Sequence, residues 1–509
     1  MMPSLPPLTR RSLLTAGTGA FALALAGHGP ATASASPGVP TSAGALSDLD
    51  YTSPEAFDIA EQAYLDQDAQ HNEAGLFAWG ESYYLNGLLL MYQAHADEAY
   101  LDRLEERIEH VLANTDQARG VTDYAGRSGP GWRAAANYTA GHGELPLSDG
   151  AAGIQIRWAG ITSYQASATV TATGGGTFEL SLEHPSSTVT HTGLSLDPES
   201  PGYVVEAVNA AFTGADRWTA ADHRQSPAAG DELAAGTVAF EPQFYVFSVH
   251  TGMIILPMAR YVRLVRESPE LAGRRARASR VLTAVRRASR FHEADFAIDD
   301  QGRGDFWWPR DAPIPWDGLM QPYNQGQAMG TVWAELYRIT GSNRYRTRVE
   351  AMMTSMREGL VPDGDGVTWP YWQPWEAKYL GYTADDDLSS YTPHYWGIQV
   401  AEDISHAAIT LEFLQGVHDA GIEDLSALRE QVGVTFTQNV VRDEHTVWRR
   451  IDGTEDAAEG HWAQMARWLM LHDVQPEIHD HTLRVYQAGE LEPSQGSHAL
   501  AMAYLNLTA

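Results

Sequence analysis

Apolar residues recur at helical spacing in one segment after another from Pro54 onward, and the segments fall into pairs. The pattern covers 56–65, 79–94, 100–112, 247–266, 272–292, 325–339, 345–360, 398–417, 424–437, 460–471, 476–486 and 496–505. Two pairs share a spacing: Met91-Tyr92 then Tyr100-Leu101 with Leu104, and Leu336-Tyr337 then Tyr345-Arg346 with Val349. Thr340-Gly341-Ser342 puts Gly where a helix C-terminus wants it. About twelve paired helices predict a mainly α fold, an (α/α)6 toroid of about six helix pairs whose inner helices line a central cleft. An open helical solenoid is the other arrangement of such pairs. It needs polar capping repeats, and no pair reads as one.

One long stretch breaks this rhythm. Gly153 to Val246 contains Ile154-Gln155-Ile156-Arg157-Trp158, Ala168 to Thr173 and Thr177 to Leu182, which alternate with period two. Gly174-Gly175-Gly176 and a Pro185-Ser186 turn separate them. A β-rich insertion is expected over 121–245, between a first helical part over 53–120 and the remainder over 246–509.

The N-terminus reads as an address. Thr9-Arg10-Arg11-Ser12-Leu13-Leu14 matches the twin-arginine export pattern, an apolar run extends to Ala26, and Ala31 to Ser36 offers small residues at cleavage spacing. Residues 1–35 are expected to be a signal peptide and 36–52 a disordered linker. The apolar run is short for a membrane anchor and no other stretch reaches spanning length, so a secreted, extracytoplasmic protein with no membrane partner after cleavage is expected.

The chain has no cysteine, which excludes disulfides, thiolate metal sites and Cys nucleophiles. Its net charge of −31 argues against a nucleic-acid partner. The same charge repels an anionic polymer at long range unless the cleft itself is basic. Nearly every basic side chain is Arg; Lys378 is the single lysine.

Aromatic rings and polar side chains concentrate between Asp305 and His406. Trp307, Trp308, Arg310 and Asp311 open the stretch, and Tyr323, Asn324 and Gln325 follow. Tyr371, Trp372 and Trp375 come next, then His394, Tyr395 and Trp396, then Glu402, Asp403 and His406. Sugar rings stack their C–H faces on aromatics and need paired donors and acceptors for their hydroxyls. A poly- or oligosaccharide substrate is therefore expected, with these rings, Arg310, Asp311, Asn324, Gln325 and the helix-head His250 binding it. The candidate catalytic residues are Tyr395, His406, Glu402, Asp403 and His394. Spacings of four and three bring Glu402 and Asp403 to one helix face with His406, where a carboxylate orients the ring and raises its basicity. A Tyr or His suits removal of a C–H proton beside a carboxylate, which Asn324, Gln325 or Arg310 would hold. Asp311, Asp317, Glu376 and Glu402 offer the carboxylate pair of a glycoside hydrolase instead. Asp385-Asp386-Asp387 lacks octahedral spacing and reads as a solvated loop, so no metal and no cofactor is expected.

The helical parts resemble toroid proteins that act on carbohydrates, above all the C-terminal domain of D-glucuronyl C5-epimerases. The likeness rests on Asn324-Gln325-Gly326-Gln327-Ala328-Met329 running into Leu336 to Gly341 and Tyr345, and on Val249-His250-Thr251-Gly252 with Pro257. Similar toroids occur among polysaccharide lyases and glycoside hydrolases. The resemblance implies a carbohydrate-active protein; it carries over no catalytic residue. Three functions stay open: lyase or epimerase chemistry on uronic acid units, hydrolysis by a carboxylate pair, and glycan binding without catalysis.

Overall fold

The computed structural model describes residues 49–509 apart from residue 229; the twin-arginine motif and most of the linker lie outside them. The longer helices are α1 (Pro54–Leu65), α2 (Ser82–His95), α3 (Glu98–Ala113), α4 (Ser248–Glu267), α5 (Arg275–Phe291) and α6 (Tyr323–Thr340). They continue as α7 (Asn343–Gly359), α8 (Ile404–Asp419), α9 (Ser426–Thr435), α10 (Glu477–Ala488) and α11 (Gly496–Thr508). Their ends obey local chemistry. Ser53 caps α1 with Pro54 in its first turn, Asp97 caps α3, and Gly341 closes α6 in the left-handed conformation.

The expectation of a mainly α toroid does not hold. The chain is 47% helical and 16% strand, the strands form four small sheets, and the architecture is mixed α and β. Two sheets belong to the stretch expected to be β-rich. Strands β1 (Gly141–Leu145), β2 (Ile154–Trp158) and β6 (Trp218–Asp222) make one, in the order β1-β2-β6. Strands β3 (Ser167–Gly174), β4 (Thr177–His184), β5 (Ser187–Leu194) and β7 (Gly236–Ala239) make the other, in the order β5-β4-β3-β7. They close over their own core of Ile154, Ile156, Trp158, Val170, Leu180, Leu182 and Trp218, separate from the helical core. The remaining two sheets are hairpins among the helices, β8 (Phe296–Ile298) with β9 (Gly304–Phe306) and β10 (Val361–Asp363) with β11 (Gly366–Thr368). Such three-residue strands are too short to show period two, so they left no signal in the sequence.

The helices that matter for the site pack in succession: α2 on α4, α4 on α6 and α6 on α8, while α11 lies against α2. Segment Met465–Leu471, expected as helix, is a 3-10 turn beneath α8 and α11. At one crossing the backbones nearly touch. A Cβ on Gly252 of α4 would sit 2.7 Å from the Ala328 carbonyl carbon and 2.8 Å from the Met329 nitrogen of α6. Neither neighbour can move without shifting a helix. Gly252→Ala should therefore cost at least about 2 kcal/mol, read as a lower denaturation midpoint. It should also spread His250 of α4 from Asn324 of α6.

The β module braces one loop beside the helical body. His142 lies 3.1 Å from the Tyr391 hydroxyl, Arg157 donates to the Ser390 carbonyl at 3.2 Å, and Phe212 meets the His394 ring edge-on at 5.1 Å. That loop carries Tyr395. Among the described residues no helix is long and apolar enough to cross a membrane.

Candidate functional site

The site begins at the start of α8. Residues 398–403, expected to be helical, run extended instead: Tyr371 donates its N–H to the Val400 carbonyl, and Glu402 donates to that of Trp369. Asp403 then caps α8, its Oδ1 accepting the N–H groups of Ser405 and His406, each at 3.1 Å. The same carboxylate turns Oδ2 to Nδ1 of His406 at 2.6 Å. Burial works against both charges, but each supports the other. Asp403 is held well below the usual carboxylate range, and His406 is raised above the usual imidazole range. With Nδ1 committed, Nε2 is the nitrogen left to receive or give a proton.

Glu402 does not share this face, which corrects the sequence expectation. As an extended neighbour of Asp403 it points the opposite way. Its Oε2 accepts from the Trp369 indole at 2.5 Å and the Thr410 hydroxyl at 2.8 Å. Burial pushes its pKa up to about 7. A carboxyl whose folded-state pKa is raised holds its proton more tightly when folded, so this group weakens the fold as pH rises from about 4.5 through 7. Glu402→Gln keeps an acceptor for both donors and removes the titration. The stability difference between wild type and variant should thus shift against wild type by up to about 3 kcal/mol between pH 5 and 8, read by denaturation at both pH values.

Two hollows meet at His406. The first has a cavity volume of about 50 Å³ and is walled by Trp316, Tyr371, Trp372, Tyr395, Lys378 and Arg450. The second, of about 10 Å³, is walled by Trp79, Tyr138, Phe247, His250, Asn324 and Gln325. Tyr371 lines the first, its ring edge-on to His406 at 5.3 Å. The Asn324 and Gln325 amides approach its hydroxyl without reaching hydrogen-bond geometry, and that buried hydroxyl has no protein partner. Burial, reinforced by the charges of Asp403 and Glu402, raises the phenol far above its ordinary pKa, so it stays protonated. The Asn324 and Gln325 side-chain oxygens also lack protein partners.

The other candidates divide by location. Tyr395 lines the first hollow, with the Lys378 ammonium 3.3 Å from its ring centre. Trp396 stacks on the outside of Tyr395 at 4.8 Å and is exposed. Trp308 lies one layer back, against Trp316 and Trp372. Tyr323 is buried at the head of α6, donating to the Ser355 carbonyl at 3.1 Å. Trp307 is partly exposed at an isolated bridge with Met320, and Trp375 lies under the Arg303 guanidinium. His394 faces the β module, not His406.

Arg310 does not hold a substrate carboxylate: it is exposed and spends its guanidinium on Asp387, 2.6 Å from Oδ1. Asp311 meets the Ser390 hydroxyl at 2.5 Å. Asp317 is fully used, accepting from Ser389, Ser390, Tyr391 and Asp311. Glu376 caps the short helix Ala377–Leu380. Asp403 is the single carboxylate that lines either hollow among the described residues.

Among the contributors that escaped the sequence reading are Lys378, Arg450, Trp316 and Tyr138. Lys378 carried one usable signal. It is the single lysine in an arginine-rich chain, and only lysine can shed its proton near neutrality. Burial does push it well below the usual lysine range. The other three carried none. Among the described residues no group of three or more His, Asp or Glu could hold a metal ion. No family model, no curated protein and no solved structure matches this chain.

Proposed function

We propose that the protein is an exported carbohydrate-active enzyme that removes the C5 proton from a uronic acid unit of a glycan, acting as a lyase or epimerase. One observation supports this reading: His406, fixed by Asp403, lies edge-on to the ring of Tyr371, whose buried hydroxyl has no protein partner, where two hollows meet. His406 Nε2 takes the C5 proton. The Asn324 and Gln325 amides stabilise the charge that develops on the C6 carboxyl group. Tyr371, still protonated, gives its proton to the departing glycosidic oxygen. The aromatic walls supply faces for the flanking sugars.

Hydrolysis by a carboxylate pair has less support, because that mechanism needs two carboxyls about 5 to 10 Å apart across the scissile bond. The hollows offer Asp403 alone, already committed to His406. Binding without catalysis would not call for a proton-transfer dyad facing the aromatic walls. The test is a panel of uronans read two ways. New ultraviolet absorbance marks the C4–C5 double bond of elimination, and solvent deuterium at C5 without absorbance marks epimerisation. Reducing ends without either signal would overturn the reading in favour of hydrolysis.

A further inference from the structure

The first hollow reverses the charge of the chain that surrounds it. Acidic side chains outnumber basic ones by 65 to 34 overall. Here Lys378, Arg450 and His406 line the wall, and Asp403 is the one lining carboxylate among the described residues. Asp403 is already committed to His406 at 2.6 Å. Arg450 gives Nε to Glu455 at 2.7 Å and Nη1 to the Ala401 carbonyl at 2.6 Å; Nη2 is spent on neither. Glu455 is shared as well, since Arg449 donates to it at 2.9 Å. One carboxylate thus faces two guanidiniums, and the buried Nε and Nη2 of Arg449 have no protein partner.

Lys378 enters the same wall from the other side, its amine 3.3 Å from the ring centre of Tyr395 and 4.9 Å from that of Trp316. Glu376, two positions earlier, spends one oxygen on the Lys378 backbone N–H and the other on that of Met320 at 3.3 Å. Burial pushes the amine well below the usual lysine range; Glu376 resists that fall and Arg217 adds to it. An anion in the hollow would favour the charged amine, so its entry draws a proton onto Lys378. The volume of about 50 Å³ limits what enters. An ordered water needs about 10 to 15 Å³ of such space, so the hollow has room for a few waters or one carboxylate group, and a sugar ring stays at its mouth.

We propose that the first hollow is the subsite for a carboxylate on the sugar unit next to the reacting one, held by Arg450 and Lys378, and that the substrate is therefore a glycan with uronic acids at consecutive positions. This inference rests on the proton-abstraction reading above, which gives the reacting unit's own carboxyl group to Asn324 and Gln325, and it names the substrate class. No bond forms or breaks in this subsite; it contributes to binding and register. Arg450 offers Nη2 as a directed donor, and Lys378 acts as a point charge. The local surplus of basic groups also answers the long-range repulsion between an acidic polymer and a chain of net charge −31.

The test uses tetrasaccharides of consecutive galacturonic, glucuronic, mannuronic or guluronic acid, and the same oligomers with their carboxyl groups reduced to alcohols. Binding is measured by calorimetry on the full chain carrying Tyr371→Phe, which slows turnover, in two buffers of different ionisation heat. Turnover is read on the wild type by ultraviolet absorbance and C5 deuterium. At least one acid oligomer should bind about ten-fold or more tighter than its reduced form, with proton uptake and with affinity falling as pH rises. Lys378→Met removes a buried amine and should leave the denaturation midpoint equal or higher. It should weaken the acid oligomer about ten-fold, abolish the Lys378 share of the proton uptake and leave the reduced form unchanged. Arg450→Lys, which keeps charge but loses the forked donor, should also weaken the acid oligomer and raise KM more than it lowers kcat. Turnover of a uronan with unchanged KM in both variants overturns the subsite and leaves proton abstraction standing. So does equal turnover of a glycan in which uronic acids alternate with neutral sugars. Proton uptake that survives Lys378→Met overturns the part given to the amine. Neither binding nor turnover of any uronan overturns both readings.

Discussion

Asp403→Asn should lower kcat/KM by about 10²- to 10⁴-fold while the protein remains folded. The two roles of Asp403 separate in this variant. As the N-cap of α8 it needs a side-chain oxygen for the Ser405 and His406 N–H groups, and Asn caps as well as Asp does. As the partner of His406 it needs negative charge, which Asn lacks. The pH profile distinguishes loss of charge from loss of structure. In the wild type His406 must be neutral to accept a proton, and Asp403 raises its pKa. Activity should therefore fall as pH drops through a value above 6.5. Without Asp403 burial is opposed only by the more distant Glu402, the imidazole pKa falls, and the residual activity should persist to lower pH. An acid limb at the same pH in both proteins would mean that His406 is not the base.

Tyr371→Phe should lower kcat by a similar factor of about 10² to 10⁴, with KM changed far less and thermal stability equal or higher. The reasoning is about an unmet hydrogen bond. The Tyr371 hydroxyl is buried with no protein partner, so it contributes no hydrogen bond to the fold and carries a desolvation cost. Removing it relieves that cost and leaves the ring against His406 and Trp372. Groups kept at the expense of stability concentrate where they act on a ligand. A Tyr371→Phe enzyme that is destabilised yet fully active would assign the hydroxyl to structure. Tyr395, named from sequence beside His406 as a proton carrier, lies with its ring against Lys378 rather than against the imidazole. Tyr395→Phe should have the smaller effect.

Helix placement was largely legible because burial of one face imposes a 3.6-residue period that survives in the sequence. Segments such as 100–112 and 345–360 fall inside α3 and near α7 for that reason. The alternating runs at 154–158 and 168–173 became β2 and β3 by the same logic at period two. The chemistry of Asp403 and His406 was legible as well, since three-residue spacing at a helix start brings a cap to a ring whatever lies around it. The short hairpins were not legible, nor was the extended path of 398–403, because pairing with Trp369 and Tyr371 is a contact between distant segments.

The sequence by itself determined where most of the helices form, that no cysteine chemistry is available, and that a neighbouring carboxylate, Glu402 or Asp403, is in reach of the His406 imidazole. Only the tertiary structure decided which tyrosine meets that imidazole, and that Arg310 and Glu402 face elsewhere. The physical reason is range. Periodicity and capping are set by residues a few positions apart, whereas a hollow exists only where backbones from distant segments are held at a fixed distance, as α4 and α6 are at Gly252.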